Sequence, residues 1–227
     1  MNLFLSHPVR LVQRLLVPCC CALLLTDASA QQSVLFVNDN DNITYNTDTI
    51  WNDLQATGYA VDRYDIPASG GVVPTAELLE EYDLVIWYAS TDGAELGFWN
   101  SAALANIEQY LLTEKPFWAV GSDLLYAIYP APPYDMGETD FAGTYMGINT
   151  YYAQSYGDDG ALGCERVELD AAVEADLPAT LTWIFPTVYW IDGCLLNEAA
   201  TTIYTMGPDN YALAGLASMF RYINNDL

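Results

Sequence analysis

Histidine is almost missing: among 227 residues there is one, His7. Past residue 30 no imidazole is available, which removes Ser-His-Asp and Cys-His pairs, histidine-bearing zinc sites and the imidazole pH switch from the chemistry of this stretch. Basic side chains are nearly as scarce. Six Lys and Arg face 30 Asp and Glu for a formal net charge of −24, and after residue 30 only Arg63, Lys115, Arg166 and Arg221 remain. Such a surface repels nucleic acid and anionic membranes, whose recognition needs positive stripes; it suits cations, basic partners or a saline medium.

Long apolar runs are limited to one, LLVPCCCALLL at residues 15–25. Arg10 and Arg14 precede it and a small-residue stretch ending Ala28-Ser29-Ala30 follows, the order of a secretory signal peptide cleaved after Ala30. The run is too short to stay behind as a membrane span. Cys19, Cys20 and Cys21 raise a lipoprotein alternative, but a lipid-anchored cysteine should end the apolar run, and Ala22 to Leu25 continue it. The expected product is a secreted, periplasmic or cell-surface protein with no integral membrane span after processing. Its one α/β domain would be Gln31–Leu227, a length that buries roughly 70% of its unfolded surface. Of the five cysteines only Cys164 and Cys194 lie in that domain, and an even pair in an oxidising compartment is expected to form a disulfide.

Residues 33–38 (SVLFVN) read as a buried strand followed by the polar run DNDN. Thr47 or Asp48 can cap a helix bearing Ile50, Trp51 and Leu54, with Gly58 suited to its left-handed end. Further strands are expected at 59–66, 83–89 and 116–121, with helices over 76–82 and 101–113 between them. Near-continuous apolar strands alternating with helices predict a mostly parallel open sheet covered on both faces. The second half is rich in aromatics and irregular: strands are expected near 164–170, and at 201–206 and 211–215 joined by a GPDN turn, while Pro186 divides 181–191 or places it at a sheet edge. No G-x-G-x-x-G or Walker sequence occurs.

VLFVNDND, GYAVDRYDI, YDLVIWYAS and ALANIEQYLLTEKPFWAVGSDLLYA, in that order and spacing, resemble secreted domains of the class I glutamine amidotransferase-like (flavodoxin-like) superfamily, in particular non-catalytic bacterial ones. The resemblance implies a flavodoxin-like or glutamine amidotransferase-like sheet with a divergent second half. In catalytic relatives the fourth strand runs into a G-x-C-x-G elbow carrying the nucleophile. Here Gly121 stands at the cysteine position and Ser122 follows it, so the resemblance implies a degenerate elbow with no catalytic residues. Ser122 has no imidazole or nearby lysine to activate it; helix capping, shared with Asp123, is its expected role.

Asp39 and Asp41 follow the first strand, where open α/β sheets place ligands, and offer hard oxygens to calcium, the one cofactor the residues suggest. An Asx-rich solvated turn is the simpler explanation. Asp92, Glu95 and Asp123 come from the next loops on the same rim. Tyr126, Tyr129 and Tyr134 open a tyrosine-dense stretch suited to a binding platform or to filling a core. These residues together predict an exported, non-enzymatic module that binds an extracellular protein or glycan, or serves in a surface assembly. A hydrolase using carboxylates alone, such as a glycosidase, is the alternative, since that mechanism needs no histidine.

Overall fold

A computed structural model of the chain describes residues 31–40, 46–90, 99–155, 160–169, 174, 176–182, 190–207 and 211–223. They belong to one compact unit, Gln31–Leu227. No described helix is long and apolar enough to cross a membrane.

The first half is a parallel sheet of β1 (Ser33–Asn38), β2 (Ala60–Asp65), β3 (Leu84–Ser90) and β4 (Phe117–Gly121) in the order β2-β1-β3-β4. Strand alternation sends Val34, Phe36, Ile86 and Tyr88 to one face, where Ile50, Trp51 and Leu54 of α1 (Asn46–Ala56) cover them. Leu35, Val37, Val85 and Trp87 face the other way, against Leu79 of α2 (Ala76–Glu80) and Ala103, Ile107 and Tyr110 of α3 (Ser101–Leu111). Each central strand is thus apolar on both sides. Thr75 and Asn100 cap α2 and α3 with their side-chain oxygens, and Gly58, at φ +85°, takes the left-handed conformation after α1.

The expected single, mostly parallel sheet is corrected by the second half, which builds two antiparallel sheets. One runs β5 (Tyr134–Asp135), β6 (Ile148–Gln154), β9 (Asp192–Leu196), with α4 (Phe141–Met146) preceding β6. The other runs β11 (Ala217–Tyr222), β10 (Ala200–Gly207), β7 (Gly163–Arg166), β8 (Thr180–Thr182). After β4 the described chain has no further crossover helix; β7–β8 and β10–β11 pair antiparallel as sequence neighbours, and β9 and β10 return from farther along the chain to pair antiparallel with β6 and β7. Residues 211–215 do not form the expected strand: Leu213 is buried in a turn and Gly215 at φ +82° redirects the chain into β11.

The expected disulfide is also corrected. Cys164 and Cys194 are free, buried thiols. Cys164 on β7 lies opposite Met206 and Leu181, whereas Cys194 on β9 lies opposite Tyr151, so the two belong to different sheets. Cys194 packs into the cluster of Leu125, Ala142, Ile148 and Tyr151, and burial pushes its thiol up to about 12.

Candidate functional site

At the carboxyl end of β1 the polar residues are consumed by structure. Asn38 donates to Asp65 Oδ2 at 3.0 Å, and its Oδ1 accepts from the Asn40 backbone at 3.2 Å and the Thr47 hydroxyl at 3.1 Å. Thr47, expected as a cap of α1, instead lies fully buried and holds that turn. Asp39 is buried, and its Oδ2 accepts the Trp87 indole N–H at 2.9 Å. The described residues 38–40 are thus buried polar groups tied to the core by a carboxylate, and no group of three or more acidic, His or Cys ligands occurs among the described residues. Burial opposes ionisation of Asp65, but the Ala68 N–H, the Asn38 amide and the Arg63 guanidinium outweigh it and lower its pKa. Asp41, Asp92 and Glu95 lie outside the described residues.

The elbow after β4 is a crossing point between the parallel sheet and β9. Gly121 has no left-handed φ; glycine there is favoured by packing, since a Cβ would come within 3.2 Å of Leu124 and 3.3 Å of Ala89. The Ser122 carbonyl accepts the Asp192 N–H at 3.0 Å. Ser122 Oγ is sealed from solvent and caps nothing. The turn that follows is capped from across the chain: Asp192 Oδ2 accepts the Leu125 N–H at 2.6 Å, with the Tyr126 N–H also directed at the carboxyl. Beside it the Tyr151 hydroxyl donates to Gln154 Oε1, and Gln154 Nε2 donates to Asp123 Oδ1 at 2.5 Å.

The carboxyl of Asp192 is strongly perturbed. Although part of the residue reaches solvent, its Oδ1 is sealed and without a partner among the described residues. Desolvation, reinforced by the charge of Asp123 and only partly offset by the Leu125 and Tyr126 N–H groups and the neighbouring Tyr151 hydroxyl, pushes it up to about 8. A neutral carboxyl therefore sits next to Asp123 and Ser122 at neutral pH. Sequence reasoning missed Asp192 because no local pattern marks it, and its partners are about 40 to 70 residues away in the chain.

The tyrosines divide. Tyr129 and Tyr134 stack at 5.4 Å, Tyr129 accepts the Ala142 N–H at 2.9 Å, and Tyr134 donates to Asp140 at 3.1 Å, so both serve the packing of α4. Tyr126 stays exposed beside Asp192, joined by Tyr152, Trp190 and Leu195. Tyr152 is an extra residue in β6, between the pairs Tyr151↔Cys194 and Ala153↔Gly193. A bulge of this kind re-aims a side chain, here out of the ladder.

Fold and site define an α/β protein of one parallel and two antiparallel sheets, with the Asp192 carboxyl of β9 joined to the turn after β4. No protein-family model matches the chain, and no curated protein matches it.

Proposed function

We propose that the chain is an exported, non-enzymatic α/β module whose antiparallel half binds an extracellular protein or a glycan. The observation that carries this reading is the exposed group around β6 and β9: Tyr152 and Leu195 at 53% and 41% exposure, with Trp190 and Tyr126 at 38% and 37%. Tyr152 is on β6 and Leu195 on the adjacent β9, Trp190 lies just before β9, and the Tyr126 N–H is directed at the Asp192 carboxyl of β9. Rings with an apolar body and a polar tip are enriched where partners dock. The absence of histidine past residue 30 and the Gly121-Ser122 elbow favour binding over turnover, and a kinship with non-catalytic amidotransferase-like domains is part of the same proposal. The test is titration of the full chain against a panel of glycans and purified surface proteins, with Tyr152→Ala and Leu195→Ser as variants. A ligand whose affinity drops at least about fivefold in both variants is expected, each removing buried contact area; unchanged affinity for every ligand found would remove this surface from the proposal.

A second reading, hydrolysis by carboxylates alone, draws on Asp123 and Asp192. A carboxyl pushed up to about 8 keeps its proton at neutral pH, as a general acid must. The sealed Oδ1 and the backbone donors already spent on the carboxyl oppose it. Glycoside turnover by the full chain that disappears in a folded Asp192→Asn variant would favour this reading.

A further inference from the structure

We infer that the cleft between α4, the start of β6, the β9–β10 turn and the end of β11 is a subsite for a neutral sugar. The inference rests on the binding reading above and specifies a ligand class and a place distinct from the Tyr152 surface. The cleft is shallow and open to solvent, with a volume of about 390 Å³, and is lined by Met136, Glu138, Thr144, Asn149, Asn197 and Tyr222 with neighbouring glycines. That volume is within the size range of small-molecule sites.

Its walls are held from beneath. Gly147 ends α4 at φ +70°, and a Cβ there would lie 2.5 Å from Tyr222 Cδ2 and 2.8 Å from Cγ. Only glycine meets both demands, and the Tyr222 ring is thereby seated directly on backbone. The Gly147 carbonyl accepts the Asn197 N–H at 2.9 Å. Asn197 Oδ1 in turn accepts the Ala199 and Ala200 N–H groups at 3.0 and 3.1 Å, which leaves its Nδ2 as the end able to donate to a ligand. Across the cleft, Asn149 is the second bulged residue of β6, extra between the pairs Ile148↔Leu196 and Thr150↔Leu195, and it is exposed. Its carbonyl binds the Met136 N–H at 3.0 Å, fixing the segment that carries Glu138.

The resulting set is a carboxylate and an amide oxygen that accept, an amide nitrogen that donates, and a phenol that offers a ring face and a hydroxyl. Sugar hydroxyls both donate and accept, and sugar C–H faces lie well on aromatic rings, so this set matches a neutral carbohydrate. Lys and Arg are absent from the lining, and Glu138 repels anions, which disfavours phosphate, sulfate or uronate ligands.

The experiment is calorimetric titration of the full chain with oligomers of glucose, galactose, mannose and N-acetylglucosamine, and with a uronic acid oligomer as charged control. Asn197→Asp keeps the oxygen that holds the turn and removes the Nδ2 donor; Glu138→Gln removes the charge. Binding of a neutral oligomer, weakened about tenfold or more in both variants with circular dichroism unchanged, is the expected result. Neutral-sugar binding unaffected by these variants but lost in Tyr152→Ala overturns the cleft and leaves the proposed function standing. Tighter binding of the uronic acid oligomer, or no heat with any oligomer at millimolar concentration, overturns the sugar assignment, while the protein panel still tests the binding function.

Discussion

Asp192 carries a folded-state pKa of about 8 against an ordinary 3.8, so between those values the folded chain holds a proton that the unfolded chain releases. Stability from this group is therefore full below about pH 4 and declines as pH rises toward 8, at most by about 1.4 kcal/mol per unit for one proton. Urea unfolding across pH 5 to 9 should show that decline in the wild type and a flatter profile in Asp192→Asn, which should be more stable by roughly 1–3 kcal/mol at pH 9, where the wild type buries a charge. Equal slopes in the two proteins would mean the carboxyl is solvated. At Gly147 the expectation has the opposite sign. Gly147→Ala must adopt φ +70° and displace the Tyr222 ring and Ala200, and should lower stability by about 2–4 kcal/mol, combining backbone strain with overpacking. Gly58→Ala has open space around it and should cost only the backbone part, about 1 kcal/mol; thermal melts of the two side by side check the difference.

At the scale of elements, what the sequence made legible followed from burial on two faces. SVLFVN and LVIWYA cannot satisfy both faces except between helices, so β1 and β3, with the helices over Ile50 and Ile107, were readable from apolar runs and spacing alone. The antiparallel sheets were not, because their strands are short and irregular. β6 is interrupted by bulges at Asn149 and Tyr152, β5 has two residues, and β9 begins with Asp-Gly. The same irregularity hid the site: bulges expose Asn149 and Tyr152, and no local pattern marks Asp192 or Asn197 as partners of residues on other elements. Asp39, the candidate that local reasoning found most easily, is bonded to Trp87 inside the core. The two thiols are free and buried in separate sheets. With Cys164 on β7 and Cys194 on β9 in separate ladders, both should resist a thiol reagent in the native chain and react fully in denaturant, with no change in intact mass on reduction. A linked peptide recovered without reduction would contradict the placement of β7 or β9.

Over the whole molecule, the scarcity of positive charge sets the response to solvent. Arg63 is shared between Asp48 at 2.7 Å and Asp65 at 2.8 Å, and Arg166 pairs with Glu174 at 3.4 Å, so these cations are already committed to local partners. With a formal charge of −24 over the chain, most of the 30 carboxylates meet like charge at longer range, which penalises the compact state more than the expanded one. Monovalent salt shortens the reach of that repulsion from about 30 Å at 0.01 M to about 8 Å at physiological strength. These ion pairs, part-buried apart from Asp48, lose less on screening than the diffuse repulsion does, because partly buried charges are screened less. The thermal midpoint should therefore rise from 10 to 150 mM NaCl by a few degrees, about 1–2 kcal/mol for a domain of this size. A fall in midpoint over the same range would mean that the arginine pairs outweigh the diffuse repulsion. Calcium at micromolar concentration and constant ionic strength separates screening from site binding: a rise with Asp39→Asn abolishing it would assign a specific cation to the β1 end. The expected result is no calcium response there, since Asp39 Oδ2 is held by the Trp87 N–H within the core.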